Sequence, residues 1–180
     1  MGHNFIAAQI IGIIGVVLFV LSFQIKSNKK LFFMQILANI MFAIQFVMLG
    51  AYSGCVGLII CILRNVVFMN RDRWPFVNTK PMLAIILACC LVNVAVNWKG
   101  WFDLFSLAAV SGASIGYWMG SARAVRTSNL FAASPCWIIY DVAVGSWAGV
   151  LNETIAIVSI LVSVIRFGWK ALGESGEEFK

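Results

Sequence analysis

Of the ionisable residues inside long apolar runs of this sequence, Arg64, Asp141 and Glu153 are the candidates worth weighing. If those runs cross a bilayer, each charge costs roughly 2.5 to 3.5 kcal/mol and needs a partner, a wet cavity or a route to the interface. Asp141 has the clearest setting. At about 100° per residue, Ser134, Trp137 and Asp141 share one helix face, which sets a hydroxyl, an indole plane and a carboxyl side by side. Such a face suits a small polar solute held by hydrogen bonds and stacking, and a titratable carboxyl permits proton coupling. Asn152, Ser159, Ser163 and Arg166 form a second stripe on a 3.6-residue helix. Arg64 and Asp141 are expected about 10 Å apart in depth, so no direct pair between them is assumed. Glu153 is expected one short turn inside its helix, where the dipole favours a carboxylate. The substrate-binding candidates are Asn39, Arg64, Trp137, Asp141, Asn152 and Glu153. Gln9, Gln35 and Gln45 are expected to tie helices together.

The elements that must carry these residues are helices. A bilayer core about 30 Å thick takes roughly 20 helical residues to cross. The sequence predicts seven spans: Phe5 to Ile25, Leu31 to Leu49, Tyr52 to Met69, Met82 to Val96, Trp101 to Met119, Leu130 to Trp147 and Val150 to Phe167. They use most of the 180 residues, leaving no room for a separate soluble catalytic domain. The runs are continuously apolar rather than alternating, which excludes a barrel. With 62% hydrophobic and 11% charged residues, and a mean hydropathy of +0.94, the composition lies far from that of a globular domain. The opening run is expected to be a retained first span rather than a signal peptide.

Cations set the orientation. Lys26, Lys29 and Lys30, then Arg71, Arg73 and Lys80, then Arg123 and Arg126 fall in alternate loops, and Lys170 and Lys180 follow the last span. The opposite set of loops holds Lys99 alone. The positive-inside rule therefore predicts a periplasmic N-terminus and a cytoplasmic C-terminus. A net charge of +6 is accounted for by topology, so a nucleic-acid partner is not expected. Trp74, Trp98, Trp101, Trp147 and Trp169 sit near span ends, as an interfacial belt requires. The five cysteines form no CxxC motif and His3 is the only histidine, so no metal site or cofactor is expected.

An internal repeat organises the chain. The displacement that lays Gly50 on Gly145 brings Leu49-Gly50-Ala51-Tyr52-Ser53-Gly54 onto Val144-Gly145-Ser146-Trp147-Ala148-Gly149. It also lays Asn39, Phe42 and Phe46 on Ser134, Trp137 and Asp141, which predicts aromatic walls on opposite sides of a central cavity. The fold class expected is an all-α polytopic membrane protein of seven transmembrane helices. Two parallel three-helix repeats (5–69 and 101–167) are joined by a linker helix (82–96), with a tail over 168–180. Three spans invert the chain, so a lone crossing helix must restore its direction. Parallel repeats place a pseudo-two-fold axis along the membrane normal, with a solute site between the halves.

The sequence resembles the YgjV-type family of bacterial inner-membrane proteins. The likeness lies in Ala8-Gln9 through Gly12, in the Lys-rich first loop, and in Met48-Leu49-Gly50-Ala51-Tyr52 leading to Ile62-Leu63-Arg64. It continues through Cys136-Trp137-Ile138, Gly145-Ser146, Glu153 and Ile165-Arg166-Phe167. The resemblance implies an inner-membrane location. The three-plus-one-plus-three plan looks like that of SWEET sugar facilitators and PnuC-type vitamin-precursor transporters, but the chain has no Pro-Gln dipeptide, and Pro135 is its one span proline. Substrate residues of those families are therefore not carried over.

The function expected is a small-solute transporter or facilitator, its substrate sugar-like or vitamin-like, working by alternating access. The alternative is a non-transporting membrane partner or regulatory protein. An enzyme is not expected, because the spans offer no nucleophile with a base and no metal centre. The partners are the lipid bilayer and a small-molecule solute, and a homo-oligomer is compatible with the sequence.

Overall fold

The computed structural model describes residues 2–22, 28–70 and 73–174. Lys26, Arg71 and Lys180 lie outside the described residues, as do the side chains of Lys29, Lys30, Arg166, Trp169 and Lys170.

The apolar runs fold as helices, the one form that satisfies every backbone group within a single segment in lipid. In chain order these are α1 (Gly2–Ser22), α2 (Asn28–Met48), α3 (Tyr52–Met69), α4 (Lys80–Val96), α5 (Asp103–Met119), α6 (Ala122–Ser128), α7 (Ser134–Val144) and α8 (Trp147–Glu174). A short 3₁₀ turn, Pro75–Asn78, precedes α4. A π turn over Asn129–Ala133 joins α6 to α7 with helical dihedrals on both sides. The eight labels thus make seven rods among the described residues.

Two glycine turns end α2 and α7 alike. Gly50 has φ +70° and Gly145 φ +75°, the left-handed conformation that a side chain resists. Ala51 N–H donates to Phe46 O at 2.8 Å and Gly50 N–H to Val47 O at 3.0 Å. Ser146 N–H donates to Asp141 O at 2.8 Å and Gly145 N–H to Val142 O at 3.3 Å. Both are the paired closing bonds that recapture orphan carbonyls at a helix end.

The rods close into a ring. α2 packs between α1 and α3, and the α6–α7 rod packs between α5 and α8. α3 meets α5, and α8 meets α1, completing the circuit, while α4 lies outside against α3 and α5. Gln9 Nε2 donates to Gly145 O at 2.8 Å, Lys99 Nζ donates to Gly50 O, and Ser53 donates to Asp103. The start of α1, both glycine turns and the α4–α5 link therefore share one end of the bundle.

Burial is inverted relative to a soluble domain. Ile6, Ile10 and Val17 of α1, Leu91, Val92 and Val96 of α4, and Leu161, Val162 and Ile165 of α8 are exposed. Gln45, Arg64, Asn93, Asp103, Asp141 and Asn152 are buried. An apolar outside around a polar inside is stable only where lipid covers the outside. Trp74, Trp98, Trp101 and Trp147 stay exposed near helix ends, as a belt would.

Several expected boundaries need correction. The sixth span starts at Ala122 and not Leu130, and it ends at Val144, while Trp147 opens α8. Arg123 and Arg126 consequently belong to a helix and not to a loop. Because α8 opens at Trp147, Glu153 lies beyond its first turn, and the dipole account of that carboxylate fails. α3 runs from Tyr52 to Met69 as expected.

Candidate functional site

The ring encloses a cavity of about 440 Å³. All six sequence candidates line it: Asn39 from α2, Arg64 from α3, Trp137 and Asp141 from α7, and Asn152 and Glu153 from α8. Ser134, Ser159 and Ser163 line it too, so the described members of both polar stripes face inward.

Pro135 helps to shape this wall. Its nitrogen carries no proton, and its ring crowds the carbonyl one turn back. The helix widens ahead of it, with Ser134 N–H bonding to Asn129 O, a five-residue step. The widened turn presents Asn129, Ala133 and Ser134 to the cavity together with Trp137.

Arg64 is 5% exposed, and its partners are neutral. Nε and Nη2 donate to Asn65 Oδ1 at 3.2 and 3.0 Å, and Nη1 donates to Ser114 Oγ at 3.3 Å. The guanidinium carbon lies 4.4 Å from the centre of the Tyr117 ring, within cation–π range. Arg126 lines the cavity from α6, farther from the glycine turns. This region can hold an anionic or strongly accepting group.

Asp141 marks the other pole. It lies four residues before Gly145, about 6 Å along the helix, whereas Arg64 lies about 18 Å from the start of α3. The Asp141 carboxyl rests against Gly149, where an added Cβ would come within 2.5 to 2.6 Å of its atoms. Glu153 sits one helical turn past Gly149 on the same face, and Asn152 Nδ2 donates to its Oε1 at 3.1 Å. Asp141 and Arg64 do not pair, consistent with their expected separation in depth.

Between the poles stand rings. Trp137 stacks on Phe46 with centroids 6.0 Å apart and planes 20° from parallel. The two aromatic walls expected on opposite sides of the cavity therefore touch. One indole face is taken by Phe46, and Tyr140 meets Trp137 edge-on at 5.7 Å.

Beyond these rings, toward the glycine turns, the ring of helices is fastened at two seams. At the α3–α5 seam Ser53 bonds Asp103 and Tyr140, whose hydroxyl also accepts from Gly54 N–H at 2.8 Å. Asp103 accepts further from Lys99 N–H at 2.7 Å and Gly100 N–H at 3.0 Å, and Asn93 Nδ2 donates to Ser53 O at 2.9 Å. At the α1–α8 seam Gln9 accepts from Gln45 Nε2 and from Ala148 N–H, both at 3.2 Å. Gln9 and Gln45 thus tie helices together as expected, whereas Gln35 lines the cavity.

Sequence reasoning missed Asp103, Tyr140, Asn65, Ser114, Tyr117, Arg126 and Asn129. An aspartate after Gly100-Trp101-Phe102 is a helix-start signal, and it was available for Asp103. Asn65 stands next to Arg64 and shares its depth. Among the described residues no three His, Cys, Asp or Glu side chains converge. Cys89 is exposed and its neighbour Cys90 is buried, so the two point apart.

The family model Imp-YgjV, described as a bacterial inner membrane protein, matches residues 6–171. No curated protein matches the chain. No solved structure matches it either.

Proposed function

On the premise that the chain belongs to the Imp-YgjV family of bacterial inner membrane proteins, we propose that it is a small-solute transporter or facilitator. In this reading two parallel three-helix units, 5–69 and 101–167, rock about a central binding site while α4 serves as the link. The shared glycine-turn geometry, the matching order of helices within each half and the paired α3–α5 and α8–α1 contacts support the repeat. The basic loops support a periplasmic N-terminus.

The observation that carries the reading is the cavity itself, with cationic and acidic poles and rings between. Membrane proteins keep ionisable groups at depth where solutes or ions pass. Bonded seams close it toward the glycine turns, while its lining continues to Arg126 and Ser163 at the other end. That is the form of one of the two states of an alternating-access cycle. The solute is bound without covalent chemistry: hydrogen bonds from Asn39 and Asn152, the Trp137 indole where it lines the cavity, and charges from Arg64, Asp141 and Glu153. A sugar or a vitamin-like molecule with polar and planar parts fits these groups.

Uptake of a panel of radiolabelled sugars and vitamin precursors into proteoliposomes tests this. Saturable uptake of a panel member, reduced at least about tenfold by Arg64→Gln, supports it. Uptake no faster than in protein-free vesicles across the panel would sink it.

A further inference from the structure

The glycine-turn end of the cavity holds a surplus of unanswered oxygen. Asp141 Oδ1, Ser146 Oγ and Asn152 Oδ1 are buried without a hydrogen-bond partner. Their residues are 2%, 0% and 6% exposed. Buried polar atoms in folded proteins are nearly always satisfied, so three within the end of α7, the turn after it and the start of α8 ask for an explanation. Asp141 Oδ1 and Asn152 Oδ1 only accept. The Ser146 hydroxyl lies beside the Asp141 carboxyl and can lend it one proton while its own lone pairs stay open. Asn152 and Tyr140 commit their donors elsewhere. Asn152 spends its Nδ2 on Glu153 Oε1 at 3.1 Å, which leaves its carbonyl oxygen as the free end. Tyr140 spends its hydroxyl on Ser53 and Gly54. Ser146 follows Gly145 directly and bonds its own N–H to Asp141 O at 2.8 Å, which keeps its side chain beside α7.

We propose that Asp141, Ser146 and Asn152 form a binding site for a monovalent alkali cation at this end of the cavity. Carboxylate, hydroxyl and amide oxygens are the ligands that hard cations take. One carboxylate, with Glu153 one turn away from Gly149, matches a single positive charge, whereas a divalent ion is ordinarily given more carboxylates. Gly149 is part of the site because it leaves the space in which the Asp141 carboxyl lies. The cation would neutralise an acidic pole that has no cationic side chain among its partners within the described residues, and Asp141 and Asn152 open the site to the same cavity as the solute.

The test is equilibrium binding of radiolabelled sodium to the purified full-length protein in detergent, with choline chloride holding ionic strength constant. Saturable binding in the wild type, displaced by unlabelled sodium and weakened at least about tenfold in Asp141→Asn and in Gly149→Ala, is the expected result. Asn152→Ala, which leaves both carboxylates, reports on the amide ligand should either of those variants fail to stay monodisperse. Absence of saturable binding in monodisperse wild type overturns the proposal, and so does equal binding in wild type, Asp141→Asn and Asn152→Ala. No solute is present, so the outcome is independent of whether uptake is observed.

Discussion

Asp103 and Asp141 are buried almost equally, at 1% and 2% exposure, yet their surroundings differ in kind. Asp103 is saturated: Ser53 and the N–H groups of Lys99 and Gly100 all donate to it. Asp141 leaves an oxygen unanswered and faces a cavity. The first arrangement fastens α3 to α5. The second leaves capacity for something that arrives and departs. Burial of an acid is therefore no guide to its role here; the count of donors around it is.

The same substitution at both positions probes this contrast most strongly. Asp103→Asn turns an amide N–H donor toward groups that themselves donate and is expected to lower stability by about 3 kcal/mol, whereas Asp141→Asn should change it by less than about 1 kcal/mol. Thermal unfolding in detergent measures both, and equal losses would break the contrast. Next come two glycines related by the internal repeat. An added Cβ at Gly54 meets the Tyr140 ring at 2.6 to 2.9 Å, and at Gly149 it meets the Asp141 carboxyl. Gly54→Ala should cost about 1 to 3 kcal/mol because a packed ring cannot give way. Gly149→Ala should cost less, and denaturant titration of the two proteins compares them. Tyr140→Phe removes the hydroxyl that joins Ser53 to Gly54 and is expected to cost about 1 to 2 kcal/mol. Its cycle with Ser53→Ala should be non-additive, which unfolding of the double variant checks. Smallest of all, Gly50→Ala and Gly145→Ala should each cost about 1 kcal/mol, and matching midpoint shifts would sharpen the equivalence of the two turns.

The sequence carried the fold through its apolar rhythm and its two Gly turns. α3 could be bounded correctly because Gly50 ends the preceding helix and Asn70 follows the apolar run. The cavity wall was legible wherever polar residues recur at helical spacing, as with Ser134, Trp137 and Asp141. Where polar residues cluster, the same reading failed. Arg123, Arg126, Thr127, Ser128 and Asn129 look like a loop when every helix is assumed to face lipid, but this helix turns Arg126 and Asn129 toward the cavity. Asp103 was passed over because it stands in the first turn of the expected fifth span, next to its end; its value lies in donors from Ser53 of a distant helix and from the backbone before it. Such partnerships depend on the ring closing, which no local pattern records.

The widened turn before Pro135 has one more consequence. A π turn accommodates an extra residue, so everything preceding it is rotated by about 100° relative to an unbroken α-helix. Deleting one residue from 129–133 would restore ordinary winding and swing Arg126 away from the chamber while leaving Trp137 and Asp141 where they are. One extra residue of winding is thus what turns a second guanidinium into this compartment.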